Sequence, residues 1–455
     1  MLTWPCDHPG CDKRSITMRY HRCTSCGKHL CFTHAFRPHH KCLYLSEDEA
    51  EEAEARVNGL ETINLIKAIK NSNIADVASS LRNGIPCVLN IPENLHNLME
   101  GGINVLIPVV FEDGHRWLAR VKQQNNQPPL DSYNRAIAES EVETLKVLRE
   151  HGLKVPAAYL PAKGDTDQSQ LCYFFVDIVD GTPMNPPLHN DDDSEEKQKK
   201  VLYQLAKFNI ELSQFTFPAV GSLYPSSNGS LDSHVGPIVS TSICEETPPH
   251  FLGPFRTNQD KYLAAAGFVL RKILNGVLCP DDPLPIYLWH LELMEIIRDN
   301  DNWQDDGQYY LKHGDDKGDH IMADEEGNIT ALIDWEWAYT TTKAEAFSTP
   351  FGCLALELLT EDGKSDLQPN ELALSQAYEQ LGRPDLAECA RSGRFYHWLK
   401  LGMGHEPYIE LINGIRETTS HDTYGYDTIE DWVEEMKLKF GADKGLQALL
   451  GRDRE

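Results

Sequence analysis

Three side chains between residues 311 and 337 have the types and order that phosphoryl transfer requires: Asp315, His320 and Asp334. An aspartate can accept the proton of a hydroxyl group, and carboxylate or imidazole groups can hold a divalent cation on nucleotide phosphates. An ordinary hairpin with acidic loops is the alternative, because Asp and Glu together number 70 in this chain. The complete order of base, ligand, hairpin and second ligand favours the catalytic interpretation.

Two short strands must position these residues. An apolar segment follows His320, the turn sequence Glu-Gly-Asn comes next at residues 326–328, and a second apolar segment ends just before Asp334. Such a pattern predicts a β-hairpin. The hairpin would bring His320 close to Asp334, while Asp315 lies on the loop that leads into it.

A second hairpin and a helix are predicted nearer the amino terminus. Apolar residues at 103–111 and 116–122 flank the turn Asp113-Gly114. A helical pattern then runs from Asp131 to His151-Gly152. A strand cation beside a helix carboxylate is the arrangement with which a nucleotide kinase lobe positions phosphates.

The predicted pair on these elements is Arg120 with Glu141. Lys122 is an alternative cation and Glu139 an alternative acid. Surface charge without a phosphate-binding role is the further alternative. The Gly-Gly at residues 101–102 is either a close approach to phosphates or a simple turn.

The remaining segments predict a hinge and a mainly helical lobe. Residues 171–179 form a continuous apolar segment that runs into Asp-Gly-Thr-Pro, which suits a hinge where backbone groups bind an adenine. Residues 189–200 predict a charged loop, and residues 221–254 a long loop. Helices are expected at 201–215, 262–278, 286–298, 349–359, 367–381, 385–401 and 428–440.

Composition restricts the class of protein. The formal net charge of -28 argues against general binding to nucleic acid or to anionic membrane. It favours a cationic or amine substrate, and an acidic surface that only confers solubility is the alternative. No apolar run reaches the length of about 18 residues that a membrane span needs. The amino-terminal residues lack signal-peptide blocks. Scattered cysteines indicate free thiols, so a cytoplasmic or nuclear location is expected.

The first 45 residues carry eight soft metal ligands. The spacing is Cys-x4-Cys, then Cys-x2-Cys-x4-Cys-x2-His-x5-His-x-Cys, which is enough for two tetrahedral zinc sites. A segment this short cannot build a sufficient apolar core, so metal would supply its folding free energy. The eight ligands are Cys6, Cys11, Cys23, Cys26, Cys31, His34, His40 and Cys42, with His39 as an alternative to His40.

This segment resembles the AN-one-type zinc finger. By analogy with that family, Cys6, Cys11, Cys31 and His34 would hold one zinc, and Cys23, Cys26, His40 and Cys42 the other. The segment has seven basic and two acidic residues, unlike the acidic remainder. A basic segment on an acidic body indicates a separate module whose acidic partner is a protein or a nucleic acid, and the resemblance favours a protein. The run of acids and the capping pattern from Ser46 predict an acidic helical connector at 46–79.

Residues from about 80 to 440 resemble the aminoglycoside phosphotransferase and choline kinase-like family, particularly its fungal branch. The matching segments are Gly114 to Arg120, Ser140-Glu-Val-Glu-Thr-Leu, Val179-Asp-Gly, Phe217 to Tyr224, His313-Gly-Asp315 and Ile333-Asp-Trp-Glu336. The resemblance implies an α+β, two-lobed, protein-kinase-like fold, with one lobe at 80–180 and a mainly helical lobe at 181–455. The hairpin at 313–337 would carry the catalytic residues.

The resemblance also implies ATP and magnesium (or manganese), with Asp315 as catalytic base and Asp334 as metal ligand. The family has an asparagine where this chain has His320, and magnesium prefers oxygen ligands. Asp319 is therefore an alternative ligand to His320. Arg120 stands where the family has a lysine, and it retains the charge.

The leading hypothesis is an ATP-dependent phosphotransferase that acts on a hydroxyl group of a small molecule. Asp315 would take the proton, Asp334 with His320 or Asp319 would hold the metal, and Arg120 with Glu141 would set the phosphates. The alternative from another class is a zinc-finger adaptor whose kinase-like body is a catalytically silent scaffold.

Overall fold

The computed structural model describes residues 3–5, 14–16, 47–123, 131–162, 171–184, 195–225, 235–240, 243–244, 250–276, 278–279, 282–300, 303, 305–360, 366–419 and 425–452. These residues form helices and strands in two compact units. The first unit takes the chain up to residue 146, with 156–178 and 244–250, and the second takes 147–155, 179–243 and 251 onward. The predicted mixed α+β class is confirmed.

The first unit is built on a six-stranded antiparallel sheet. Its strand order is β3-β5-β6-β8-β7, and β4 also pairs with β5. The strands up to residue 177 are β1 (Thr3–Pro5), β2 (Arg14–Ile16), β3 (Cys87–Leu89), β4 (Met99–Glu100), β5 (Asn104–Phe111), β6 (Arg116–Lys122), β7 (Ala158–Tyr159) and β8 (Tyr173–Asp177). The helices up to residue 150 are α1 (Glu47–Lys70), α2 (Ile74–Leu81) and α3 (Asp131–Glu150).

Hydrophobic alternation sets the register of this sheet. Val105 pairs with Val121 and Val109 with Trp117, and these side chains are buried on one face. Gly114 supplies the positive φ of 86° in the connecting turn, which explains the Asp-Gly sequence there. The hairpin predicted at 103–122, the helix predicted from Asp131 and the apolar strand predicted at 171–179 are confirmed as β5, β6, α3 and β8.

The second unit is mainly helical, with short strands in three small sheets. The strands are β9 (Thr182–Pro183), β10 (Ser222–Leu223), β11 (Val235–Gly236), β12 (Tyr310–Lys312), β13 (Ile321–Ala323), β14 (Ile329–Leu332) and β15 (Tyr339–Thr341). The helices are α4 (Glu195–Leu212), α5 (Asn258–Leu274), α6 (Pro283–Asp299), α7 (Lys343–Ala346), α8 (Leu356–Thr360), α9 (Pro369–Gln380), α10 (Pro384–Arg391), α11 (Arg394–Gly402), α12 (Ile409–Thr419), α13 (Ile429–Lys439) and α14 (Lys444–Arg452).

Tryptophans dominate the core of the helical unit. Trp289, Trp398 and Trp432 are completely buried, and Trp289 Nε1 donates to the carbonyl of Gly402. Large rings exclude much water, and the indole N–H finds a backbone acceptor when buried. The prediction that these side chains belong to the core is confirmed.

Three predicted elements of this unit are wrong in detail. Helix α4 begins at Glu195, inside the segment predicted as a charged loop. Residues 349–359 form a 3-10 turn at Phe351–Cys353 and then α8, because Pro350 interrupts the pattern. The single helix predicted at 385–401 is broken near Gly393, where a Cβ atom would lie 2.6 Å from Ser348 Cβ.

The predicted zinc module cannot be compared with this fold. All eight predicted ligands, namely Cys6, Cys11, Cys23, Cys26, Cys31, His34, His40 and Cys42, lie outside the described residues. In the described part of the chain, no group of three or more His, Cys, Asp or Glu side chains could hold a metal ion.

The predicted connector forms α1 and α2, which belong to the first unit. Leu65, Ile66 and Ile69 are buried against the sheet, whereas Leu60 is 60% exposed. Six cysteines of the described residues are free thiols, as the sequence predicts. None of the helices in the described ranges has the length and apolar character that crossing a bilayer requires.

Candidate active site

Strands β12 and β15 fix the base of the site in the second unit. They pair antiparallel, with Lys312 opposite Tyr339 and Tyr310 opposite Thr341. The chain leaves β12 at Lys312 and enters the loop that carries Asp315. Both strands are almost entirely buried, so the beginning of this loop is held by the core.

The predicted hairpin forms from β13 and β14, with Ile321 opposite Leu332. Its turn is stabilised by Asp324, whose Oδ1 accepts the backbone N–H of Asn328 at 2.7 Å, and by Gly327 at a φ of 76°. Asp, Asn and Gly suit such turns because they bond to their own backbone or adopt a positive φ. The prediction of this hairpin from the sequence is confirmed.

The two ends of the hairpin meet as predicted. The backbone N–H of Ile333 donates to the carbonyl of His320 at 2.9 Å, and Asp334 follows directly. Asp334 has a φ of 64°, a left-handed conformation that is uncommon outside glycine. Backbone strain of this kind concentrates at functional sites. The hairpin therefore presents a strained, half-buried carboxylate beside the start of β13.

A histidine braces the loop that carries Asp315. The backbone N–H of Asp315 donates to His313 Nδ1 at 3.2 Å, and His313 Nε2 lies 2.9 Å from the carbonyl of Ile333. Because Nδ1 accepts, Nε2 carries the proton and donates. Burial lowers the pKa of His313, which favours this neutral form. His313 thus ties the base loop to the end of β14.

His320 is buried rather than open to a ligand. Its Nδ1 accepts the backbone N–H of Gly318 at 3.2 Å, and its ring centroid lies 4.3 Å from that of His313. Burial holds the pKa of His320 well below its usual value. The accepting nitrogen is already bonded and the other carries the proton, so this geometry favours Asp319 as the alternative ligand.

Three carboxylates converge on one ammonium group. Lys317 Nζ lies 3.0 Å from Asp315 Oδ2 and 4.0 Å from Asp319 Oδ2. Burial lowers the pKa of Lys317, but the hydrogen bond to Asp315 and the charges of Asp315, Asp319 and Asp334 raise it overall. The field of these acids attracts a cation to the open side of the loop.

Asp316, next to the predicted base, was missed by the sequence interpretation. Its carboxylate is almost completely buried and lies 3.3 Å from Lys312 Nζ and 3.1 Å from Lys400 Nζ. Burial raises the pKa of Asp316, but Lys400 and Lys312 outweigh it and hold that pKa well below its usual value. Gly352 also donates its N–H to the Asp316 carbonyl at 2.8 Å. Through these contacts Asp316 holds the loop that carries Asp315 in place.

Close backbone approach explains one glycine of the loop. A Cβ atom on Gly314 would lie 2.0 Å from the carbonyl oxygen of Trp337, which no side chain could tolerate. Lys400 Nζ also donates to the Gly314 carbonyl at 3.2 Å. The His-Gly-Asp sequence is therefore a packing requirement as well as a chemical motif.

A cavity of about 390 Å³ opens beside Asp315 within the second unit. Its wall includes the side chains of Lys261, Lys312 and Lys400. The aromatic residues of the wall are Tyr262, Trp337, Tyr339, Phe351 and Tyr396. A concave, mostly apolar space with a few polar groups is the usual form of a small-molecule site. The candidate base thus faces a space of suitable size for an acceptor.

Glu345 lies on the same wall, although its side chain is only 2% exposed. Lys261 Nζ lies 2.9 Å from Glu345 Oε2, and Tyr262 and Tyr339 donate their hydroxyls at 2.8 and 2.6 Å. Thr341 and Asn258 donate as well. Burial raises the pKa of Glu345, but Lys261 and the hydroxyl donors lower it to about 2. No sequence pattern indicates this cluster, because its donors are as many as 87 residues away.

The predicted phosphate-positioning pair forms in the first unit. Arg120 Nη1 lies 3.5 Å from Glu141 Oε1, and the Glu141 side chain is 1% exposed. The alternative acid, Glu139, pairs instead with Arg135 at 2.8 Å. The alternative cation, Lys122, is also buried. Arg120 with Glu141 is therefore an observed ion pair, and its role toward phosphates stays a prediction.

The donor set of the hairpin fits magnesium. Asp334 and Asp319 offer carboxylate oxygens, and Asp319 is 53% exposed. Magnesium on nucleotide phosphates usually takes only one or two carboxylates from the protein and retains water.

A sequence model described as the phosphotransferase enzyme family (APH) matches residues 109–342, just over half of the chain. This segment contains Arg120, Glu141, Asp315 and Asp334. No protein in the curated set has significant sequence similarity to the chain.

Solved structures give weaker likenesses. The streptomycin–ATP–APH(2″)-IIa complex is 13% identical over 77% of this chain and 97% of that chain, with a TM-score of 0.42. Macrolide 2′-phosphotransferase MphH from Brachybacterium faecium is 15% identical over 77% of this chain and 99% of that chain, with a TM-score of 0.37. Plasmodium vivax ethanolamine kinase is 14% identical over 73% of this chain and 83% of that chain, with a TM-score of 0.42. At these TM-scores we draw no functional conclusion from the likenesses.

Proposed function

The chain belongs to the phosphotransferase enzyme family, and from this we propose that it transfers the terminal phosphoryl group of ATP to a hydroxyl group of a small molecule. The observation that carries the proposal is the position of Asp315. It lies at the wall of an acceptor-sized cavity, on a loop that also gathers Asp319 and Asp334 around one cation. This arrangement supports hydroxyl activation beside a nucleotide.

Asp315 is the proposed proton acceptor. The oxygen of the acceptor forms a bond to the terminal phosphorus, the bond between that phosphorus and the oxygen of the leaving ADP breaks, and the hydroxyl proton passes to the Asp315 carboxylate. His313 and the buried Asp316 hold the loop in position through their bonds to Asp315 N, Lys312 and Lys400. They are positioning residues.

Asp334 and Asp319 are the proposed residues for magnesium, with His320 holding the backbone between them. When bound, magnesium neutralises charge on the phosphate oxygens. Arg120, set by Glu141, is proposed to bind phosphate oxygens, since a guanidinium forms paired hydrogen bonds with such groups. Asp315 and Asp334 differ in this role: the first acts on the acceptor and the second on the nucleotide.

ATP binding and phosphoryl transfer test the proposal. Purified protein is titrated with ATP and magnesium or manganese, and transfer to a panel of hydroxylated metabolites is measured with labelled ATP. Asp334→Asn should abolish ATP binding. The matched control is Glu326→Gln, an exposed acid in the turn of the same hairpin, which should bind normally. No ATP binding by the native protein would overturn the proposal.

A different result would favour the silent scaffold. In that case ATP binds and depends on Asp334, yet no acceptor is phosphorylated and no slow ATP hydrolysis is seen. The feature that raises this alternative is His320, which stands at the position where the related family has an asparagine and is engaged by the backbone.

For the first 45 residues we propose a two-zinc module that binds a protein partner. The support is the number and spacing of the ligands and the basic charge of the segment. The pairing of Thr3 with Ile16 between β1 and β2 is the part of this segment that the structure describes. Metal analysis of the full chain should find about two zinc ions per chain, and one or none would contradict the ligand assignment. The free thiols support a reducing compartment, cytoplasm or nucleus.

A further inference from the structure

The wall of the cavity beside Asp315 carries its own cations, and these lie on the aromatic faces. Lys261 Nζ is 4.0 Å from the ring centroid of Tyr262 and 4.6 Å from that of Tyr339. Lys400 Nζ is 4.6 Å from the ring centroid of Phe351. An aromatic face attracts an ammonium group through its quadrupole. Here the protein supplies that ammonium itself, on three of the five aromatic rings of the wall.

The carboxylates near the cavity are already engaged. Glu345 accepts hydrogen bonds from Lys261, Tyr262, Tyr339, Thr341 and Asn258, and it is buried. Asp316 lies behind the wall and bonds to Lys312 and Lys400. An incoming ammonium group would have to displace an internal one from these acids.

Asp315 is the remaining acid of the wall, and it is the proposed base. A cationic group bound at Asp315 would compete with the hydroxyl that this carboxylate must reach. Lys261 is balanced by Glu345, but Lys312 and Lys400 share the single carboxylate of Asp316. The ammonium charge left in excess would also repel that group, because like charges placed together lower affinity. The cavity therefore disfavours amines, although the chain as a whole is strongly acidic.

Apolar side chains form much of the remaining wall, beside Ser240, Ser348, His397 and His405. Ile238, Val239 and Met403 line it together with Trp337, and Trp337 is a ring not covered by any of the three lysines in the contacts described. A flat apolar skeleton would bury area against these side chains, which is the main source of affinity in such sites.

From these contacts we infer that the acceptor is a neutral or anionic alcohol on a flat, apolar skeleton, and not an amine. This inference rests on the proposed function, because it identifies the acceptor cavity by Asp315. It replaces the expectation, drawn from net charge, of a cationic substrate. Charge on the outside of the molecule does not set the charge of this wall, where Lys261 pairs with Glu345 and two lysines, Lys312 and Lys400, share Asp316.

The test is a matched series of ligands that differ only in charge. The para-methyl, para-carboxylate and para-aminomethyl derivatives of benzyl alcohol are titrated into the full-length protein, and binding is measured by ligand-observed NMR without nucleotide. The methyl and carboxylate compounds should bind at least about tenfold more tightly than the aminomethyl compound. Equal or tighter binding of the amine, or no binding of any member, would overturn the inference.

A lysine variant tests whether the ammonium groups of the cavity wall cause the preference against the amine. Lys400→Gln should reduce the preference against the amine by about threefold or more, because one ammonium group leaves the wall. Lys437→Gln is the matched control, since Lys437 pairs with Glu434 and does not line the cavity. An unchanged preference in Lys400→Gln would count against the inference. If Lys400→Gln does not fold, the ligand series on the native protein still decides.

A transfer assay with the same series separates this inference from the proposed function. If the expected ranking holds in binding but labelled ATP yields no phosphorylated product, the proposed function fails while the ligand class stands. If product forms from the amine more efficiently than from the other two, the phosphotransferase function stands and the ligand class fails.

Discussion

Asp315 and Glu345 lie on the wall of one cavity, yet their surroundings differ completely. The Asp315 side chain is 30% exposed and has one ammonium neighbour, Lys317, which is itself 60% exposed. The Glu345 side chain is 2% exposed and accepts bonds from five residues. The carboxylate of Asp315 is therefore available for reaction, whereas the carboxylate of Glu345 is a fixed part of the core.

The difference lies in the number of donors that each carboxylate must leave in order to react. A carboxylate with several buried donors is held ionised, as the low pKa of Glu345 shows, and moving a proton onto it would break the network. A partly exposed carboxylate with one mobile partner can exchange that partner for a substrate hydroxyl. Exposure and donor count, rather than residue type, thus separate the proposed base from the structural acid.

Among variants that still bind ATP, Asp315→Asn should give the largest effect on transfer. The amide cannot accept the hydroxyl proton, so the transfer rate should fall by about 10²–10⁴-fold. Stability should change by no more than about 0.5 kcal/mol, because the site is partly exposed. Steady-state transfer assays and chemical denaturation measure the two quantities. A native transfer rate in this variant would remove Asp315 from the role of base.

Glu345→Gln should show the opposite profile, with a large loss of stability. Lys261 would be left buried without a compensating charge, and breaking such a pair costs about 3–5 kcal/mol. The free energy of unfolding is measured by urea denaturation followed by tryptophan fluorescence. The matched control is Glu388→Gln, an acid that is 66% exposed and pairs with Arg391. Equal stability of the two variants would contradict the distinction between these regions.

Mild acid should lower the free energy of unfolding through two buried imidazoles, His290 and His397. Burial lowers the pKa of His290 to about 4 and that of His397 to about 3, and the ordinary value is 6.5. The unfolded chain therefore binds these protons at a higher pH than the folded chain does. Stability should be fully present above pH 6.5 and should fall as the pH drops toward 4. The slope should be about 1.4 kcal/mol per pH unit for each imidazole.

Glu345 adds to this loss only at lower pH, because its folded pKa of about 2 lies below its ordinary 4.5. Its contribution is complete above pH 4.5 and disappears as the pH falls toward 2. Denaturation midpoints across the acid range measure the curve, with His96→Gln as an exposed control and His397→Gln as the test. If the free energy of unfolding does not change between neutral pH and about pH 4, the neutral, buried state of His290 and His397 would be contradicted.

Asp319→Asn should give the smallest effect. Asp319 is 53% exposed and 4.0 Å from its cation, so its removal should raise the magnesium concentration for half-maximal transfer by about fivefold or less. Asp334→Asn should be far more severe. Transfer titrated with magnesium measures the effect of Asp319→Asn, and ATP binding titrated with magnesium compares it with Asp334→Asn. A greater loss from Asp319 than from Asp334 would reverse their proposed order as ligands.

Some elements of this fold can be predicted from the sequence because residues close together in the chain specify them. The hairpin of β13 and β14 follows from two apolar segments and a turn of Asp, Gly and Asn, which fix each other within about a dozen residues. The sheet hairpin with Gly114 and the helix from Asp131 follow in the same way. Helix boundaries failed where a distant contact intervened, as at Gly393 against Ser348.

The family motif, the order of Asp315 and Asp334, and the hairpin between them could all be predicted from the sequence. What each charged group contacts follows only from the tertiary structure: His320 is bonded to the backbone, Asp316 is held by Lys400, and lysines lie on three rings of the cavity. Local propensity and turn chemistry act between neighbours along the chain. The environment of a charge depends on partners brought from far away by packing, and net charge cannot report it.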